Sequence, residues 1–190
     1  MSAPMKGPGR RPNLPVTVVD KPEDDGDGGR PESARLMLTM FAVAAGLEVI
    51  ALILNVVTTV VDPAPLMSAA REAADDTGPL VEATAWGSVA IVTLFYLVVV
   101  AILTAAIVAI HKNGKWAAGA LRLWTIFAIY FAFRGLTVFL ITPAGGNAPD
   151  ALFLADGAVQ ILVGVAAVLG AVFGSRPDTR AWLTTPDDRT

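Results

Sequence analysis

The sequence predicts an all-α protein: a bundle of four transmembrane helices that follows a disordered N-terminal tail. Hydrophobic residues make up 54% of the 190-residue chain, and the mean hydropathy is +0.60, whereas soluble domains contain about 45–50% apolar residues. Four apolar runs each exceed the roughly 20 residues that a helix needs to cross the hydrocarbon of a bilayer. These observations predict an integral membrane protein.

Proline, glycine and charge divide the chain. Residues 1–34 combine repeated prolines with an acidic cluster and too few apolar residues to form a core, so we expect a disordered cytoplasmic tail. The transmembrane domain should cover residues 35–174, with spans at about 36–61, 85–110, 117–141 and 151–173. Prolines close the first and third spans and open the fourth. Residues 175–190 should form a short cytoplasmic tail.

The loops predict the orientation in the membrane. The connection between the second and third spans carries His111, Lys112 and Lys115, whereas the charged residues of 62–84 are mainly acidic and Asp150 is the only charged residue of 142–150. Because basic residues concentrate in cytoplasmic loops, we expect a multi-pass protein of the cell (plasma) membrane with both termini in the cytoplasm. Good helix formers at 66–74 could form a short helix on the membrane surface.

The composition excludes several kinds of chemistry. The chain has no cysteine and a single histidine, His111, which removes disulfides, zinc–thiolate sites, iron–sulfur clusters and bis-histidine haem ligation. No nucleotide-binding, nucleophile-elbow or zinc-protease motif is present. We therefore expect a protein that is not an enzyme, with no catalytic residue, metal site or cofactor and with no nucleic-acid partner.

Polar side chains inside the apolar runs are the most informative feature. Arg134 interrupts the third run, and a charge at that depth needs a partner because an unpaired one costs about 2.5–3.5 kcal/mol on insertion scales. With each span centred in the bilayer, Arg134 and Asp156 fall at similar depths, so we expect them to pair. The predicted intramembrane polar cluster comprises Glu48, Asn55, Arg134, Asp156 and Gln160.

This cluster has three possible roles. It could fix helix register and partner choice, as buried polar residues do in other bundles. Alternatively, Glu48 or Asp156 could bind or relay a cation or proton, because intramembrane ionisable residues often mark such paths. The third possibility is pairing with another subunit. The state of Glu48 depends on whether its own chain supplies a basic partner.

Two helix surfaces are candidates for contacts with other helices. The fourth run contains Gly164, Gly170 and Gly174, of which the last two form a GxxxG pattern that lets helix backbones approach closely. Packing within the protein's own bundle and a dimer contact are both open. The second run has no charge in its apolar part and should face lipid or an apolar partner surface.

Residues 112–117 before the third run and 175–182 after the fourth, together with the proline-rich charged tail, give the chain a layout that resembles small four-helix membrane proteins of actinobacteria. In size and number of spans it is similar to the small accessory subunit of actinobacterial respiratory supercomplexes. This resemblance implies a subunit without a redox centre of its own.

The sequence therefore predicts a non-catalytic accessory or scaffold subunit of a larger membrane complex, in the respiratory chain or the cell envelope. Its partners would be membrane lipids and either a membrane-protein complex or further copies of the same chain. The alternative is a small oligomeric transporter or ion-coupled membrane protein that uses Glu48 and Asp156.

Overall fold

The computed structural model describes residues 29–74, 78–138, 140 and 149–184, and over these residues the protein is all-helical. Six helices follow one another: α1 (Glu32–Val61), α2 (Ala64–Ala74), α3 (Pro79–His111), α4 (Ala117–Thr137), α5 (Asp150–Gly174) and α6 (Pro177–Thr184). Helices α1, α3, α4 and α5 are long and apolar enough to cross a membrane. The predicted fold class, a bundle of four transmembrane helices, is confirmed.

The helix boundaries differ in detail from the predicted spans. Helix α1 begins at Glu32, inside the stretch expected to be a tail, while residues 1–28 of that tail lie outside the described residues. Helix α3 begins at Pro79, because proline at the first helical position lacks only an N–H group that would have no helical partner there. Helix α4 ends at Thr137, and of the predicted remainder of the third span, residues 139 and 141 fall outside the described residues.

Helix α5 is the packing centre of the bundle. Its most extensive contacts are with α1 and α4, and α3 packs less closely against the same two helices. The order around the bundle is therefore α1, α5, α4, α3, which places α1 and α4 at opposite corners. Alternating large and small buried residues from all four helices fill the space between them, including Phe41, Leu103, Trp124 and Ala167.

The two shorter helices lie outside this core. Helix α2 covers the stretch expected to form a surface helix; it has no buried residue and packs against α3. Asp62 Oδ1 accepts a hydrogen bond from the backbone N–H of Ala64 at 3.3 Å, where α2 begins. Helix α6 occupies part of the predicted C-terminal tail, and its Thr179 and Leu183 are buried.

The end of the bundle that holds the α3–α4 connection, α6 and the start of α1 is called the basic end, after Arg30, Lys112, Lys115, Arg176 and Arg180. Asn113 in this connection has a φ of +45°, a conformation that asparagine tolerates better than most residues. Its side-chain N–H donates a hydrogen bond to the Trp182 carbonyl oxygen at 2.9 Å. The turn between α3 and α4 is thereby fastened to α6.

Candidate functional site: an intramembrane ion pair and carboxyl group

Glu48 lies in the middle of the buried stripe of α1. The buried residues Met37, Phe41, Ala44 and Ala51 recur at alternating intervals of three and four, and Glu48 occupies the position between the last two. This spacing places a carboxyl group on the core face of the helix. Only 4% of Glu48 is exposed, so its charge requires a partner inside the bundle.

Arg134 is that partner. Its Nη1 atom donates a hydrogen bond to Glu48 Oε1, which makes a salt bridge between α1 and α4, the two helices at opposite corners. The Arg134 side chain is 21% exposed and lies beside the buried stripe of α4 rather than within it. The ion pair therefore crosses the interior of the bundle and ties together two helices that have little direct contact.

Aromatic side chains surround the guanidinium group. Arg134 Cζ lies 5.8 Å from the centroid of the Tyr96 ring, a separation at which a cation is attracted to the ring face. Tyr130, one turn before Arg134 on α4, interacts with the Tyr96 hydroxyl and with the charges of both Arg134 and Glu48. Helix α3 thus reaches the site through Tyr96. Sequence reasoning did not place these two tyrosines at the site.

Asp156 is not the salt-bridge partner of Arg134, so the predicted pairing is wrong. Its Oδ2 atom accepts a hydrogen bond of 2.5 Å from Gln160 Nε2, one turn later on the same helix. The Arg134 charge still acts on Asp156 over a longer distance. The site therefore contains one ion pair and, beside it, an aspartate–glutamine pair within α5.

The register of the helices explains why Glu48 and not Asp156 reaches Arg134. A Cβ atom built on Gly135 would lie 3.5 Å from Ile161 Cα, which places the neighbouring Arg134 at that level of α5. Asp156 lies five residues from Ile161, about 7.5 Å along the helix axis. Because side chains lean towards the N-terminus of their helix and α5 runs antiparallel to α4, the Arg134 and Asp156 side chains lean apart.

The levels of facing residues on α1 and α5 likewise place Glu48 beside Arg134. Gly170 of α5 faces Phe41 of α1. Glu48 lies two turns after Phe41, and therefore faces α5 two turns before Gly170, around Val163. Depth estimates based on the midpoint of each span missed this match because the spans are staggered, and the stagger depends on helix packing.

Asn55 does not join the cluster and is exposed on α1. It lies two turns beyond Glu48, about 10 Å along the axis, whereas α4 ends three residues after Arg134. The helix that could have provided its partner stops short of it. Among the described residues, the predicted cluster of five is thus divided into an ion pair, an aspartate–glutamine pair and an exposed asparagine apart from both.

Two carboxyl oxygens at the site are buried without a hydrogen-bond partner: Glu48 Oε2 and Asp156 Oδ1. Buried polar atoms in native proteins are almost always hydrogen-bonded, so each exception needs a physical explanation. No group of three or more His, Cys, Asp or Glu side chains in the described ranges is placed to hold a metal ion. What these two carboxyl groups can do chemically is bind and release a proton.

The glycine-lined face of α5 packs against α4 and α1 inside the bundle. A Cβ atom on Gly164 would lie 2.9 Å from the Phe131 carbonyl oxygen, and one on Gly170 would lie 2.5 Å from the Phe41 ring. Gly174 is similarly close to Leu121. These glycines let α5 approach α4 and α1 closely, and they leave no such face open to another copy of the chain.

No protein-family model, curated protein or solved structure matches the chain.

Proposed function

We propose that this integral membrane protein is a non-catalytic accessory or scaffold subunit of a larger membrane complex and that α3 provides the contact. The observation that carries the proposal is the uneven burial of the spanning helices. Only 11% of the most apolar stretch of α3 is buried by its own chain, against 39% for α1, 22% for α4 and 28% for α5. The longest helix of the bundle is also the one with the largest free surface.

The exposed side of α3 has the pattern of a helix-packing face. Exposed residues at intervals of three and four form one stripe along it: Ala83, Gly87, Ala90, Leu94, Leu97, Ala101, Thr104 and Val108. Half of these are glycine or alanine. Small residues at this spacing bring helix backbones together, which is the use that the glycines of α5 already have inside this bundle.

A shallow groove runs beside this stripe. It has a volume of about 490 Å³ and lies between α1 and α3, with a lining that includes Val56, Val60, Trp86, Ala90 and Leu97. Its lining contains neither Glu48 nor Asp156. The concave apolar surface fits a partner helix laid against α3, since such helices dock by filling grooves with side chains.

The Glu48–Arg134 pair supports the non-catalytic part of the proposal, because it gives these two charges a structural role in joining α1 to α4 inside the bundle. We place the basic end of the bundle on the cytoplasmic side, on the charge rule for short loops. Respiratory and cell-envelope complexes are the first partners to test.

The test is co-purification with matched variants. Tagged protein would be extracted from native membranes in mild detergent, and associated proteins quantified by mass spectrometry. Gly87→Leu with Ala101→Leu would enlarge the α3 stripe. Gly119→Leu with Ala158→Leu would make the same two changes at exposed positions of α4 and α5. We expect a stoichiometric partner with the wild type and the control pair, and its loss with the α3 pair.

Two outcomes would overturn the proposal. One is recovery of the protein alone or only as a homo-oligomer. The other is an α3 variant that retains its partner. A homo-oligomer would favour the second candidate function, a small ion-coupled membrane protein, for which the unpartnered oxygens of Glu48 and Asp156 are the specific support.

A further inference from the structure

The charges inside the bundle do not balance. Between the helix ends, the described residues of the four spanning helices include the contacting pair Glu48 and Arg134 and, further along α5, the half-buried Asp156, whereas Arg122 is exposed near the start of α4. If all three ionise, the region contains two negative charges and one positive charge. An uncompensated charge at this depth is strongly unfavourable, so one further positive charge must be bound.

Glu48 is the carboxylate that Arg134 neutralises. The two side chains are in direct contact through Glu48 Oε1, and Glu48 is the more deeply buried of the two carboxylic acids. A charge-assisted hydrogen bond with a guanidinium group favours the ionised form of the acid. The excess negative charge therefore belongs to Asp156.

The surroundings of Asp156 suit a neutral acid. Gln160 Nε2 donates to Oδ2, which is the bond a protonated carboxyl group accepts through its carbonyl oxygen. The other oxygen, Oδ1, is fully enclosed and has no partner. As part of a carboxylate it would be a buried negative atom without a donor, whereas as a hydroxyl oxygen it is neutral and its burial costs far less.

We propose that Asp156 is a proton-binding site, in which Oδ1 carries the proton at neutral pH and Gln160 positions the carboxyl group. The proton comes from water and binds to the carboxylate without any other reactant, so the reaction is a reversible protonation. The groups that act on Asp156 are Gln160 on its own helix and Arg134 on α4. Around Arg134 in turn lie Tyr130 on α4, Tyr96 on α3 and Glu48 on α1. Arg134 is the cation among these groups, and its charge is paired with that of Glu48.

The inference goes beyond the proposed function and does not depend on it. A scaffold subunit with a protonatable aspartate between α4 and α5 would respond to pH, since loss of the proton places a second negative charge beside a single guanidinium group. A proton rather than a metal ion is the ligand, because a metal ion needs several oxygen ligands and no cluster of three or more acidic or histidine side chains in the described residues surrounds the enclosed Oδ1.

Infrared spectroscopy tests the proposal on the purified full-length protein in lipid nanodiscs at neutral pH. A protonated carboxylic acid has a carbonyl stretching band separate from that of carboxylates. Wild-type protein would be prepared with ¹³C in the side-chain carboxyl groups of aspartate, and separately of glutamate. We expect the protonated-acid band to be present and to shift with the aspartate label only.

Two variants then locate the band. Asp156→Asn should abolish it, and Asp150→Asn, which changes an exposed aspartate at the start of the same helix, should leave it unchanged. Absence of the band at neutral pH, a shift with the glutamate label, or persistence of the band in Asp156→Asn would each overturn the assignment. The labelling experiment uses wild-type protein, so it decides between aspartate and glutamate even if a variant does not fold.

Discussion

The indole ring of Trp124 stacks on the phenyl ring of Phe41, with the ring centroids 4.4 Å apart and the ring planes inclined by 13°. The two rings come from α4 and α1, the same two opposite helices that the Glu48–Arg134 pair joins. Both side chains are fully buried, and the Trp124 indole N–H donates a hydrogen bond to the Leu103 carbonyl oxygen of α3 at 3.1 Å. The interior is thus bridged at two levels, by an aromatic stack and by an ion pair.

The stack depends on a glycine beneath it. A Cβ atom on Gly170 would lie 2.5 Å from two carbons of the Phe41 ring, so Gly170→Ala should destabilise the bundle by about 1–3 kcal/mol through overpacking. Thermal unfolding in detergent, followed by circular dichroism, measures the effect. Gly119→Ala on α4 is the control, because a Cβ atom there would meet nothing within 4 Å. Equal stability of the two variants would contradict the packing argument.

The ion pair predicts a specific coupling. Arg134→Ala should destabilise the protein by about 3–5 kcal/mol, because it leaves Glu48 as a buried charge without a partner. Glu48→Ala in the same background should restore part of the loss, which a double-mutant cycle of unfolding free energies detects. Asp156→Ala in the Arg134→Ala background is the control. Rescue by the Asp156 change instead of the Glu48 change would mean that Arg134 pairs with Asp156.

The two acids of the site should respond differently to amide substitution. Asp156→Asn keeps the shape and neutrality of the protonated acid, and its side-chain oxygen can accept the bond from Gln160, so stability at neutral pH should stay within about 0.5 kcal/mol of the wild type. Glu48→Gln removes the negative partner of Arg134 and should lower the melting temperature clearly. Equal losses in both variants would indicate that Asp156 is ionised in the folded protein.

The attachment of helix α6 to the bundle should depend in part on the hydroxyl group of Thr179. Thr179 is fully buried, and its Oγ1 lies 2.8 Å from Ser33 Oγ and 3.0 Å from the Phe173 carbonyl oxygen. Thr179→Val removes a contact of about 0.5–1.5 kcal/mol, and amide hydrogen exchange in residues 177–184 should become faster. Thr184→Val, at an exposed position whose hydroxyl bonds to its own helix, should not change it. Unchanged exchange in Thr179→Val would show that α6 is held by its apolar contacts and the Asn113–Trp182 hydrogen bond without help from the Thr179 hydroxyl.

The sequence predicted the architecture because a lipid bilayer allows few alternatives to it. In a bilayer each backbone polar group must be satisfied within its own segment, so a sufficiently long apolar run is read as a helix with few alternatives. Prolines then mark ends of the first and fourth segments to within a few residues, as Pro63 and Pro149 do. The membrane class, the number of spans and the surface helix after the first span all followed from local composition.

The partners within the site required the tertiary structure. Arg134 had two acidic candidates, and length along each helix could not decide between them because the relative height of two helices is set where glycines and large side chains interdigitate. Gly135 against Ile161 and Gly170 against Phe41 fix that height. Sequence did contain one usable signal: Glu48 continues the buried stripe through Phe41 and Ala44, which points its carboxyl group towards the core.

What the sequence by itself determined is the kind of molecule: four apolar helices, no thiol chemistry, and a small set of polar side chains that cannot face lipid. Only the tertiary structure decided that Glu48 forms a salt bridge with Arg134 and that Asp156 is hydrogen-bonded to Gln160. It also decided that Asn55 lies outside the site and that one face of α3 is uncovered. The physical reason is the range of the forces involved. Partition of an apolar segment into the bilayer depends on the composition of that segment alone. Ion pairs and close helix contacts depend on the relative positions of helices to within a few ångströms.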